Sequence, residues 1–272
     1  MLTMFKRLAS LVPTPATNKV TLFVSDTGVP SYKDDAGLVT PMSGQPIPAG
    51  YIDGLKMEWV SGTQIRFTSG SAYIPSLGRA LTLAAAVTKT PTLAANTWYH
   101  AYLYSNAGTP DVEVTTTAPD TPYNGTARTK TGDTSRRYLG SAKTLPSAAD
   151  LVPFIVDSLG EQRWLLSNPS PPLRCLANGM QTARTTVSLA PAMPITATHA
   201  ILQVSNTASD QYCNMSVPGA LVNSMIGIPP GGSASSNLIT FPTSANQQVD
   251  YIYGATPNGG LYIDVVGFAC AR

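Results

Sequence analysis

The chain has 272 residues, and Asp, Glu, Lys and Arg together make up only 12% of them, about half the usual charged fraction. A formal net charge of +2 excludes a strongly basic nucleic-acid-binding domain, and no apolar run approaches the length of a membrane span. The 22 glycines and 23 prolines are spread along the chain, so they punctuate many short elements and do not mark a low-complexity tract.

In chain order, residues 1–12 place Met1, Met4, Phe5, Leu8, Leu11 and Val12 on one helical face. Pro13 ends the pattern. The spacing predicts a short N-terminal helix of about three turns, too short to be stable unless it packs on something else. The apolar stretch is also shorter than a signal-peptide core. PTPATN (13–18) reads as a stiff connector. Residues 19–40 then hold two turn signals, Asp26-Thr27-Gly28 and Asp34-Asp35-Ala36-Gly37, between short β-type runs. Val20, Leu22 and Val24 alternate with Thr21, Phe23 and Ser25, and Gly28 supplies the positive φ of a tight hairpin. The resulting three-stranded meander buries little surface and is expected to be completed by something outside itself.

PMSGQPIPAG (41–50) is a boundary rich in Pro and Gly. From Tyr51 to about Ser167 strand-like runs follow one another at the spacing of a sandwich or barrel. WYHAYLY (98–104) is apolar on both faces and is expected to be a central strand. SNPSPPLR (167–174) reads as a second linker, and more strand-like runs continue from about residue 180. The expected fold is all-β. A helix-and-meander segment (1–50) precedes two β-sandwich or jelly-roll-like domains, 51–170 and 171–272.

The chemistry is sparse. Cys175, Cys213 and Cys270 are an odd, widely spaced set, expected to be buried thiols of a protein made in a reducing cytoplasm. His100 and His199, the only histidines, have no ligand spacing around them and are expected to be structural. No nucleophile elbow, phosphate loop or dinucleotide fingerprint is present. Asp111 and Glu113 share one strand face, and Asp250 and Asp264 sit on later strands, but any β protein offers such pairs. No catalytic residue, metal or cofactor is expected. Arg128, Lys130, Arg136, Arg137 and Lys143 surround Asp133 alone. They read as a solvated hairpin, or as an edge meeting an acidic protein or an anionic glycan. Tyr251, Tyr253, Asn258 and Tyr262 have the composition of a recognition surface, and equally of an ordinary sandwich rim.

The order of a short apolar segment containing KRLAS, a proline connector, KVTLFVSDTGVPSYKDDAGLVTPM, WYHAYLY, YNGTARTKTGDTSRRYLGSA and a terminal GGLYIDVVGFA resembles tailed-bacteriophage fibres and related virion appendage proteins. The resemblance runs over most of the chain and implies a virion structural protein, assembled in the host cytoplasm and forming homotrimers. Leu2, Met4, Phe5, Leu8 and Leu11 would anchor it to other virion proteins of tail, collar or capsid. The C-terminal domain would meet a host-surface glycan or outer-membrane component. The absence of extended repeats or coiled-coil heptads departs from long fibres and implies a short, globular appendage. A virion adaptor or decoration protein without a receptor, and a glycan depolymerase, are the alternatives.

Overall fold

The structure, a computed structural model, describes residues 6–26, 28–42, 47–157, 160–165, 173–220, 226–231, 236–270 and 272. Residues 1–48 and 49–272 form two separate units.

In the first unit, β1 (Lys6–Arg7) and a 3-10 turn (Ala9–Leu11) precede β2 (Thr21–Ser25), β3 (Pro30–Lys33) and β4 (Val39–Pro41). They form one sheet in the order β1-β2-β3-β4, with β1 parallel to β2 and the others antiparallel. The meander forms as the turn signals require. Gly28 has φ 86° and its N–H reaches Ser25 O, while Asp34 Oδ1 accepts from Ala36 N and Leu38 N, an Asx-type turn. The expected helix is a correction. Leu2, Met4 and Phe5 lie outside the described residues, Lys6 and Arg7 pair with Val24 and Ser25, and only the 3-10 turn is helical. Pro13 pushes Val12 to an extended ψ of 119°, and the free edge of β2 offers the backbone a better set of partners than an isolated short helix does.

The second unit opens with β5 (Ile52–Gly54), β6 (Met57–Ser61), β7 (Gln64–Phe67), β8 (Gly70–Ile74), β9 (Arg79–Leu83) and β10 (Val87–Lys89). These build two three-stranded sheets, β5-β8-β9 and β10-β7-β6. The chain kinks where one sheet passes to the other. Gly54 sits at φ 62°, and a Cβ there would run into Ser69 O. Next come β11 (Trp98–Asn106), β12 (Thr109–Thr115), β13 (Thr129–Lys130) and β14 (Asp133–Lys143), in the order β12-β11-β14-β13. WYHAYLY is indeed a central strand, with Tyr99 to Leu103 buried.

The remaining strands are β15 (Phe154–Val156), β16 (Glu161–Trp164), β17 (Arg174–Gly179), β18 (Thr185–Ser188), β19 (Ala197–Asn206), β20 (Cys213–Ser216), β21 (Ile226–Ile228), β22 (Ser236–Pro242), β23 (Gln248–Tyr253) and β24 (Leu261–Cys270). One sheet runs β15-β16-β24-β19-β22, with β17 also on β24, and the other runs β18-β23-β20-β21. Leu202, Val204, Ile263 and Val265 of the first share one buried cluster with Met215, Val249, Tyr251 and Tyr253 of the second, a sandwich-like core.

The division expected at residue 170 does not separate two bodies. β15 and β16 lie before it and pair into the sheet of β24. Trp98, Phe154, Trp164 and Phe268 form an aromatic seam across it, with ring centroids 5.6–6.4 Å apart. Trp98 Nε1 and Trp164 Nε1 donate to the carbonyls of Ala190 and Ala192. Much of the expected linker, residues 167–172, lies outside the described residues, and the seam on either side belongs to one core.

Candidate assembly surface and the placement of the predicted site residues

The sheet of the first unit has one covered face and one open face. Side chains alternate along a strand, and residues in register share a side. Phe23 and Ser31 are in register and buried, Val12 is buried with them, and Lys33 Nζ donates to Val12 O at 2.8 Å. Residues 9–12 therefore lie over this face. Leu22, Tyr32 and Thr40 are in register on the opposite face. Alternation places Val20, Leu38 and Met42 beside them, and Val20, Leu22, Leu38 and Met42 are 57–63% exposed. Leu8, Leu11 and Ile47 are exposed as well, so the first 48 residues hold seven of the fifteen exposed large hydrophobics among the described residues. Scattered single exposures are ordinary, but a contiguous apolar sheet face marks an interaction site. Covering four such half-exposed side chains is worth on the order of 5 kcal/mol.

The basic run does not form an open cationic edge, because most of its charge is already engaged. Lys130 Nζ and Arg136 Nε both reach the Glu113 carboxylate, at 2.7 and 2.8 Å, and Arg136 also stacks on the Tyr104 ring. Arg128 donates to Asp120 O. Arg137 is fully buried, with Nη1 and Nη2 directed at the carbonyls of Arg128, Tyr138 and Gly50 and Nε without a partner. Lys143 is buried with its ammonium 5.4 Å from the Trp98 ring. Burial lowers the pKa of both Arg137 and Lys143. Both faces of β14 are covered from Arg137 onward, a fact that residue type alone does not reveal.

Two of the four recognition candidates belong to the core. Tyr251 and Tyr253 are 2% and 0% exposed, and Tyr253 OH donates to Asn206 Oδ1. They sit two apart on β23 and so share its inner face. Tyr262 is half-buried beneath the Arg174 guanidinium, 5.1 Å from its ring. Asn258 is exposed and locks two loops together. Its Oδ1 accepts from Ser209 N, its Nδ2 donates to Ser209 Oγ, and its backbone N–H donates to Asp210 Oδ1. The exposed aromatic beside these loops is Tyr212, at 59%, which the sequence reading missed. The alternation of inward Cys213 and Met215 on β20 points Tyr212 outward, and that signal was available in QYCNM.

The carboxylates are held by cations or hydroxyls. Asp111 pairs with Lys89. Burial works against the Glu113 charge, but the hydrogen bonds from Lys130 and Arg136 outweigh it and hold Glu113 below the ordinary carboxylate range. Asp264 receives Nε and Nη2 of Arg174 at 2.9 and 3.0 Å, and Asp250 accepts from Thr186 Oγ1. Burial pushes the free thiols of Cys175 and Cys213 up to about 12 and Cys270 up to about 11, so all three stay protonated near neutrality. His199 is exposed, and His100 is buried with Nδ1 2.7 Å from Ser141 Oγ. Among the described residues, no group of three or more His, Cys, Asp or Glu side chains converges as a metal site, and no helix is long and apolar enough to cross a membrane. Comparison of the sequence with family models and with curated proteins finds no match.

Proposed function

We propose that this chain is a structural protein of a virion appendage, a short fibre fixed to the particle through its first 48 residues. The observation that supports this reading is the open apolar face of Val20, Leu22, Leu38 and Met42. A lone 48-residue sheet does not cover that face, whereas three sister copies, together with a socket on another virion protein, would. Leu8 and Leu11 are exposed as well, and the resemblance puts them in the anchor together with Leu2, Met4 and Phe5. Host-surface contact falls to the loops around Asn258, Tyr262 and Tyr212 of the second unit.

The test is the solution mass of the full chain by light scattering, with and without residues 1–40. A trimer that becomes a monomer on truncation supports assembly through the first unit. A monomeric full chain overturns it.

A second reading, an adaptor or decoration protein without a receptor, gains weight from one observation. Tyr251 and Tyr253, half of the expected recognition set, are core residues. Particles carrying Tyr212→Ser together with Asn258→Ala separate the two readings. A fibre loses adsorption to the host, and an adaptor keeps it. The depolymerase reading has little to stand on at Asp111 and Glu113. Both are bound to cations, and Glu113 is held below the ordinary carboxylate range, whereas a general acid needs a raised pKa.

A further inference from the structure

His100 is 5% exposed and engages one of its two ring nitrogens. Nδ1 meets Ser141 Oγ at 2.7 Å, and Nε2 has no partner among the described residues. The ring lines a hollow of about 220 Å³ together with Trp98, Met193, Pro194, Ile195 and Gln247. That is room for about seven waters at roughly 30 Å³ each, or for one ring-sized molecule. None of the residues lining the hollow is charged. Gln247 is fixed in place by donating its Nε2 to Met193 O.

A chain of buried hydroxyls behind His100 sets which proton the hollow meets. The register of β11 on β14 slips between Ala101 and Tyr102, so Leu139 is an extra residue and Tyr138 falls opposite Tyr102. This bulge turns Tyr138 onto the face of Ser141. Tyr138 OH then lies 2.8 Å from both Ser141 Oγ and Thr196 Oγ1, and Thr196 Oγ1 lies 3.5 Å from Cys270 Sγ. The two ends of the chain differ in strength. A thiol is the weakest acceptor in it, and an imidazole nitrogen is the strongest. That difference favours protons running from Cys270 through Thr196, Tyr138 and Ser141 to Nδ1, each hydroxyl polarising the next. In that order Nδ1 accepts, and Nε2, the ring nitrogen without a partner among the described residues, carries the hydrogen.

We propose that this hollow binds a small, neutral, mainly apolar ring compound whose hydrogen-bond acceptor takes the Nε2–H of His100. The Trp98, Met193, Pro194 and Ile195 side chains receive the ring, and no charged side chain lines the hollow to favour an anion. The proposal is independent of the virion reading and stands or falls without it.

Benzamide is the probe, titrated into the full chain labelled with ¹⁵N at histidine and followed by the imidazole NMR signals. Nε2 of the free protein is expected to report as N–H and Nδ1 as the acceptor, and benzamide is expected to shift both saturably. Toluene, which lacks the acceptor, should bind about tenfold more weakly, the worth of one hydrogen bond. Benzoate, of the same size but charged, should not compete. His100→Phe should lose the same tenfold, and because that variant disturbs a buried network, Ile195→Trp provides the second arm. Ile195 is 50% exposed and lines the hollow but is not a member of the hydroxyl chain, so the larger side chain is expected to fill the hollow, and benzamide binding should disappear. An Nε2 without hydrogen, equal binding of toluene and benzamide, or benzamide binding unchanged in Ile195→Trp would each overturn the proposal.

Discussion

The two units use the same alternating strand pattern to opposite ends. In β2, alternation sorts Leu22 to one side and Phe23 to the other, and only Phe23 is covered. In β11, both sides are covered, and the unit around it also takes in Arg137, Lys143 and Asp264 at 0–4% exposure. A pattern of period two states which residues share a face. Whether that face meets protein or water is decided by distant segments, such as the Ala190 carbonyl that receives Trp98 Nε1. Within the first unit, residues 9–12 cover one face of the sheet, and the face of Leu22 stays exposed.

The largest effect that tests this contrast is in the aromatic seam. Trp164 touches Trp98, Phe154 and Phe268 and is 7% exposed. Trp164→Ala should destabilise residues 49–272 by about 3–5 kcal/mol. Because the seam joins strands from before and after residue 170, denaturant unfolding should remain one transition, shifted as a whole. Two transitions, only one of them shifted, would restore a boundary near residue 170.

Acid should have the next largest effect. Burial lowers the His100 pKa from 6.5 to about 4. The unfolded chain therefore binds a proton in this window that the folded chain refuses. Stability should be flat above pH 6.5 and fall by about 3 kcal/mol as the pH drops to 4. Glu113, held below its ordinary range, also loses stabilisation on acidification, so the diagnostic quantity is the difference between the wild type and His100→Gln. That difference should shrink steadily from pH 6.5 to 4. A constant difference would mean that His100 titrates alike folded and unfolded. Gly54→Ala follows in size. The left-handed φ and the clash with Ser69 O should cost about 2 kcal/mol, read as a lower denaturation midpoint.

The legible part of the molecule was its local part. The two turns at Gly28 and Gly37, the central place of WYHAYLY and the all-β character follow from φ requirements and alternation, which are properties of neighbours in sequence. Over the described residues 6–12 the expected helix failed because its period did not outweigh Pro13 and the free edge of β2. The basic run and Tyr251/Tyr253 were misplaced for a shared reason. Charge and aromaticity set what a residue prefers, but the Glu113 that neutralises Lys130 and Arg136, and the β20 and β18 strands that flank β23, come from elsewhere in the chain. The hydroxyl chain behind His100 depends on a one-residue slip at Leu139; Gly140 beside it is the strand-interior glycine that marks such a bulge, a signal the sequence reading did not use.

The smallest effect on the folded chain carries the most information about assembly. Leu22 is 57% exposed on the open face of the first unit, so Leu22→Lys should change the stability of the isolated chain by no more than about 0.5 kcal/mol. Phe23→Ser, one residue along at 5% exposure, should cost the first unit about 3 kcal/mol. Thermal melts of the two variants test the assignment of faces, and light scattering tests what the open face does. If sister chains cover it, Leu22→Lys keeps its melt and loses its oligomer, because three lysines brought together in an apolar interface repel one another and lack partners. If the wild type and Leu22→Lys have the same mass, the face is free of sister chains in solution, and assembly through the open face of the first unit is ruled out.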